Sequence, residues 1–176
     1  MLGDPLRWHL LGVVRSLGLP DGWIGAGFVR NAVWDALHGR SPAALAGDID
    51  VVWFDPSRCD EAEDDMLQAA LASIEPGFDW SVRNQSRMHR RNGDAPYAST
   101  ADAMRFWPET ATAVAVRRTG EDDCEIAAPY GLDDLFALRL VPTPAFRGAK
   151  RGIFRERMAQ KRWLSRWRRL TVEPGP

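Results

Sequence analysis

Two aspartates one residue apart, in Asp48-Ile49-Asp50, lead into the apolar run Val51-Val52-Trp53-Phe54. On an extended strand alternate side chains share a face, so Asp48 and Asp50 project together while Ile49 and Val51 turn to the core. Two residue rises separate the backbones by about 6–7 Å, close enough for both carboxylates to converge on one or two hard cations. Ions held roughly 3.5–4 Å apart activate a nucleophile and stabilise the leaving oxygen of an in-line phosphoryl displacement. Like charges this close repel, so the pair is costly unless a cation or a basic neighbour offsets it. Asp48 and Asp50 are therefore the candidate catalytic carboxylates and metal ligands, and Mg²⁺ or Mn²⁺ is the candidate ion.

Upstream stands the run Gly25-Ala26-Gly27-Phe28-Val29-Arg30-Asn31, ending seventeen residues before Asp48. Gly25 and Gly27 permit close approach of backbone to a ligand and open a helix whose N-terminal amides and dipole favour phosphate. Gly25, Ala26, Gly27, Arg30 and Asn31 are thus candidate binders of the triphosphate of an NTP. Arg30, one turn into the helix, has two readings: a phosphate contact, or a salt bridge that braces Asp48. A lone G-x-G or D-x-D arises on ordinary strands and turns; the two in this order, with a helix between them, carry the signal. A dinucleotide fingerprint fails because Arg30 stands three residues after Gly27, and no G-K-[ST] follows to make a P-loop.

The elements that must position these groups follow from periodicity. Leu6, Leu10, Val13, Val14 and Leu17 recur at helical spacing, which predicts a helix over 5–18 ended by Gly18 and Pro20. A short strand is expected at Trp23-Ile24-Gly25-Ala26, then a helix with Phe28, Val33, Trp34 and Leu37 on one face and Gly39 as its stop. A loop over Ser41 to Gly47 precedes the Asp-x-Asp strand, Ile49 to Phe54. An acidic helix then starts at Asp60, with Met66, Leu67, Ala70, Leu71 and Ile74 as its apolar stripe. A strand at Trp80 to Arg83, an unassigned polar segment from Asn84 to Asp94, and a short helix capped by Ser99 or Thr100 come next. Thr112 to Arg117 and Cys124 to Ala127 form a predicted hairpin. A short helix over Gly131 to Leu138 and a single amphipathic one over Ile153 to Trp167 close the chain. The order predicts an α+β (mixed α/β) fold with a mixed sheet and helices mainly on one side.

Composition fits one domain. The 176 residues are 45% hydrophobic, enough for a core and too apolar for a disordered chain. We expect residues 1–176 to form a single domain with an N-terminal helix and a basic C-terminal one. Cys59 and Cys124 make no disulfide framework or zinc spacing and read as buried or half-buried free thiols. The start of the chain lacks the pattern of a secretory signal, and no apolar run is long enough to span a bilayer, so a cytoplasmic location without a membrane partner is expected. The net charge of −1 conceals eight acidic residues against Arg58 over 48–65, and ten basic residues against Glu156 over 147–169. Such segments bind cations and phosphates respectively, or lie on solvated faces or pair with each other.

The run G-A-G-F-V-R-N…D-I-D-V resembles the polymerase-β-like nucleotidyltransferase superfamily, most closely the CCA-adding and poly(A) polymerase branch. There a Gly-Gly-x-Val-Arg-Asp turn precedes an Asp-x-Asp strand. Beyond it, V-R-N-x-V-W-D-x-L-H-G, V-R-N-Q-x-R-M-H, W-P-E-T-A-T-A-V and A-P-Y-G-L-D-D-L-F are similar to short bacterial chains labelled nucleotidyltransferase family proteins, from about Gly22 to Lys161-Arg162-Trp163. The resemblance implies the nucleotidyltransferase fold and metal-dependent transfer of a nucleoside monophosphate from an NTP to an acceptor hydroxyl on a protein, a small molecule or RNA. It also implies a third carboxylate beside the Asp-x-Asp strand. Glu125 matches it best, with Asp123 as the runner-up and an exposed strand residue as the alternative for Glu125. Two departures, Ala26 for the second glycine and Asn31 for the aspartate, leave a non-catalytic nucleotide- or nucleic-acid-binding module as the alternative function. The lack of nucleotide-selecting arginine motifs and of room for helical tRNA-binding domains argues against tRNA tailing.

Asn84, Arg87 and His89 follow a strand end and are expected to line the same cleft or to bond within a loop; Arg87 suits forked contact with phosphate. His38 reads as a helix C-terminal partner. Trp23, Trp34, Trp53 and Trp163 read as core. The basic C-terminal helix reads as a packing element, with nucleic-acid contact as the alternative.

Overall fold

A computed structural model describes residues 3–41, 45 and 47–173. Of the expected loop over 41–47, residues 42–44 and 46 lie outside the described residues. Five strands, β1 (Trp23–Gly25), β2 (Ile49–Trp53), β3 (Trp80–Asn84), β4 (Ala115–Arg118) and β5 (Cys124–Ala127), form a sheet in the order β3-β2-β1-β4-β5. Only β2 and β3 run parallel; the other pairs are antiparallel, so the sheet is mixed as expected. The helices are α1 (Pro5–Ser16), α2 (Gly27–Leu37), α3 (Glu61–Ile74), α4 (Met88–Asn92), α5 (Thr100–Met104), α6 (Asp133–Phe136), α7 (Arg151–Gln160) and α8 (Trp163–Arg166).

Strand alternation divides the core. Ile24, Ile49, Val51, Trp53, Trp80, Val82 and Val116 face a large cluster that takes in Leu10 and Leu11 of α1, Phe28 and Trp34 of α2, and Leu71 of α3. On the opposite face Trp23, Val52 and Ala115 meet Met104 of α5 and a partly buried Trp107 in a much smaller cluster. The thinner cover on this second face leaves the Asp50 side of β2 open to ligands.

Local signals fix the helix ends. The Asp4 carboxylate accepts from Arg7 N–H at 3.0 Å ahead of Pro5, and Asp60 accepts from Ala62 N–H at 3.0 Å. Ser99 rather than Thr100 caps α5, accepting from Asp102 N–H at 3.0 Å. His38 ends α2, its Nδ1 lying 2.7 Å from the Trp34 carbonyl.

Three expectations need correction. The apolar stripe proposed for α3 is largely exposed at Met66 and Ile74, and the buried residues of this helix are Asp64 and Leu71. Asp64 is drawn inward because Trp53 Nε1 donates to it at 2.8 Å, Asn84 N–H donates at 3.0 Å, and Arg87 pairs with it. The C-terminal segment is two helices, broken at Lys161, whose backbone is extended. The break aims Trp163 and Trp167 edge-on at Trp34, with ring centroids 5.7 and 5.1 Å away, and gives Trp167 Nε1 the Asp35 carboxylate at 2.8 Å. Cys59 is exposed rather than buried. Two short strands, β6 (Arg139–Leu140) and β7 (Thr171–Val172), pair in parallel and tie the chain's last described residues back to the body.

Candidate active site

The turn between β1 and α2 is strained. Ala26 sits at φ 48, ψ −115, a region that favours glycine, while its N–H donates to Val114 O at 2.9 Å and its carbonyl accepts from Arg30 N–H at 2.9 Å. Among the described residues no side chain caps α2, so its Gly27 and Phe28 amides are left for a ligand. The two glycines have different roles. A Cβ on Gly25 would lie 2.8 Å from the Trp107 ring, so this glycine serves packing. A Cβ on Gly27 would meet nothing closer than 3.5 Å, and this residue borders a cavity of about 300 Å³.

Asp48 and Asp50 border the same cavity, together with Ala26, Arg30 and Asn31. Asp48 is exposed, whereas Asp50 is half-buried and pairs across the sheet with Ser81. Burial, and after it the negative charge of Asp48, pushes the Asp50 carboxyl up to about 6 against the pull of Arg30, Arg157 and Lys161. The opposite wall is basic, formed by Arg157, Lys161, Arg162 and Arg166 from the broken C-terminal segment. Arg166 is matched by Asp35 at 3.4 Å and Arg157 by Glu109 at 2.7 Å. No ion pair among the described residues includes Lys161 or Arg162.

Arg30 does not brace Asp48. Its guanidinium is buried between the Trp34 and Trp163 rings, 5.1 and 4.4 Å from their centroids, and donates to Asn31 Oδ1 at 2.9 Å. Burial lowers its pKa to about 10, opposed first by the charge of Glu109. Glu109, itself fully buried, also accepts from Thr112 Oγ1 at 2.8 Å. Glu109, Arg157, Lys161 and Arg162 escaped the sequence reading as site residues. The signal available for Glu109 was a lone acid between Pro108 and an apolar run.

The other candidates lie elsewhere. Glu125 is on edge strand β5, three strands from β2, on the order of 14 Å away, and pairs with Arg117 at 2.5 Å. Asn84 is fully buried; its amide donates to the Asp55 and Arg58 carbonyls at 2.9 and 2.6 Å and its oxygen accepts from Ser86 N–H at 3.0 Å. Arg87 is held by Asp64 and Glu61, and His89 Nδ1 meets Ser86 O at 2.9 Å. These three residues shape the turn after β3 and do not border the Asp50 cavity.

Among the described residues no group of three or more His, Cys, Asp or Glu side chains is placed to hold a metal. The donor set at Asp48 and Asp50 is two carboxylates beside a phosphate-friendly helix start. That set suits Mg²⁺, which keeps several waters and uses one or two carboxylates plus substrate phosphates, and it does not suit a closed zinc site.

A mixed sheet whose Asp-x-Asp strand abuts a glycine turn and helix start defines the architecture of a nucleotidyltransferase domain. The chain belongs to the nucleotidyltransferase family, whose model matches residues 12–172. A solved NMR structure described as revealing a CCA-adding enzyme head domain is 36% identical, with a TM-score of 0.84 over 94% of this chain and 88% of that one. A tRNA-processing enzyme in an apo form is similar at 17% identity and TM-score 0.58, over 96% of this chain and 43% of that one. A complex of a tRNA-processing enzyme is similar at 17% identity and TM-score 0.52, over 92% and 42%. The chain thus spans less than half of these two longer proteins, and their likeness shows the fold alone. No curated protein matches the chain. No helix of the described residues is long and apolar enough to cross a membrane. Family and head-domain neighbour together support nucleotidyl transfer as the general activity.

Proposed function

We propose that the chain transfers a nucleoside monophosphate from an NTP to an acceptor hydroxyl, with Mg²⁺ or Mn²⁺ held by Asp48 and Asp50. The observation that carries this reading is the single cavity that joins both aspartates, the uncapped start of α2 and an arginine- and lysine-rich wall. In the proposed reaction the acceptor hydroxyl releases its proton to solvent, its oxygen bonds to the α-phosphorus, the bond to the β-phosphate bridging oxygen breaks, and pyrophosphate leaves. The Gly27 and Phe28 amides at the start of α2, with Lys161 and Arg162, bind and orient the phosphates. The ion, when bound, neutralises phosphate charge and lowers the pKa of the attacking hydroxyl. Arg157, fixed by Glu109, stands beside Asp50 to stabilise charge that develops on the transferred group. Positioning and charge neutralisation supply most of the rate.

The test is transfer from α-labelled NTPs to RNA and small-molecule hydroxyls, with pyrophosphate measured in parallel. Asp48→Asn and Asp50→Asn should each abolish label transfer while the protein stays folded; full activity in either variant would sink the assignment. A second reading, a nucleotide-binding module without turnover, is supported by the distance of Glu125 from the cleft. NTP affinity with no pyrophosphate from any of the four NTPs would favour it.

A further inference from the structure

Asp50 borders two cavities. The second, of about 540 Å³, lies along the face of β2 and β3 that carries Asp50, Ser81 and Arg83. Arg91 of α4 and the partly buried Trp107 also border it. Among the described residues Ala26, Asp50 and Arg157 alone border both cavities, and these three form the neck between them.

The electrostatics of this groove are distinctive. Among the described residues that border it, Asp50 is the one carboxylate, against Arg83, Arg91 and Arg157. Arg157 is neutralised by Glu109, but no ion pair among the described residues includes Arg83 or Arg91. Arg83 spends one N–H on the neighbouring Val82 carbonyl at 2.6 Å, and Arg91 is exposed on the last turn of α4. Guanidinium groups left without carboxylates around a concave floor select an anion with several acceptor oxygens, and phosphate matches their fork geometry. Trp107 adds an indole, pinned by its contact with Gly25, against which a planar ring can rest.

We infer that this groove is the acceptor subsite, and that it takes an acceptor bearing a phosphate near the hydroxyl that attacks. The inference rests on the reading of the first cavity as the NTP site. The acceptor phosphate sits on Arg83 and Arg91, and its hydroxyl reaches the neck at Asp50 and Arg157, facing the α-phosphate from the other side. A mononucleotide and the 3′-terminal nucleotide of a single-stranded RNA share this chemistry, and their relative affinities tell them apart.

The experiment is calorimetric titration of AMP, and separately of a six-nucleotide RNA with a free 3′ hydroxyl, into the full chain. It is done with Mg²⁺, with and without saturating α,β-methylene-ATP. Each probe should bind the analogue-saturated protein. Arg83→Gln and Arg91→Gln should each weaken the probe about tenfold and leave analogue affinity within about twofold. RNA bound at least about tenfold tighter than AMP assigns the groove to a strand end, and equal affinities assign it to a small phosphorylated acceptor. Competition between probe and analogue, probe affinity unmoved in both variants, or no probe binding by folded wild type would each overturn the subsite. Failure of the analogue alone to bind would refute the first cavity as an NTP site. Dependence of probe binding on Arg83 and Arg91 would still decide the groove in that case.

Discussion

Replacing Asp50 by asparagine should make the metal-free protein more stable even as it removes the proposed chemistry. The Asp50 carboxyl is pushed up to about 6 by burial and by Asp48, from an ordinary value of 3.8. A raised carboxyl pKa means that the native state binds the proton more tightly than the unfolded chain does. The ionised form is therefore a penalty that is complete above about 6, shrinks as the native state takes up its proton, and is gone below 3.8. The difference of roughly two pKa units corresponds to at most about 3 kcal/mol at pH 8, falling to about 1 kcal/mol near pH 4.5. Asparagine keeps the shape without the charge. A chain of this size shifts its midpoint by about 2–4 °C per kcal/mol, so the gain at pH 8 is up to ~6–12 °C. Differential scanning calorimetry of wild type and Asp50→Asn in EDTA at both pH values reads it directly, and added Mg²⁺ should narrow the gap by stabilising wild type alone. A variant no more stable than wild type at pH 8, or a gap that does not shrink at pH 4.5, would contradict an ionisation penalty at Asp50.

Other perturbations address the parts around that carboxylate. Glu109→Ala strips the fully buried partner from Arg157 and Thr112 and should cost about 3 kcal/mol; chemical denaturation measures it, and a loss below ~1 kcal/mol contradicts the role given to this pair. Ala26→Gly relieves the positive-φ turn and should stabilise by about 1 kcal/mol in thermal unfolding, whereas a destabilised variant would show that Ala26 is unstrained. Glu125→Gln removes an exposed ion pair remote from the cleft. Its stability should stay within about 0.5 kcal/mol of wild type and its NTP affinity unchanged, and a loss of affinity would return Glu125 to the site.

The sequence spoke clearly wherever local chemistry decided the outcome. Alternation alone put Ile49 and Val51 in the core and Asp50 on the other face, and the glycine turn with Trp34 behind it announced α2. What it withheld depends on distant contacts. A β-rich pattern located the strand that carries Glu125, but strand order is tertiary, and β5 lies at the sheet edge with β1 and β4 between it and β2. Asn84 and Arg87 looked like cleft residues because they follow a strand end. Their side chains are instead consumed by the turn itself and by Asp64, whose burial no helical periodicity reveals. The basic C-terminal stretch read as one amphipathic helix until the pull of Trp34 and Asp35 on Trp163 and Trp167 folded it into a cavity wall.

The most direct test of the nucleotide site is calorimetric titration of the four NTPs into wild type and Asp50→Asn, with Mg²⁺ or Mn²⁺ and with EDTA. Binding by wild type that requires the ion, and is lost in the folded variant, is the expected result. Binding that survives both EDTA and the substitution, or no binding by well-folded wild type, would contradict a metal-dependent nucleotide site at Asp48 and Asp50.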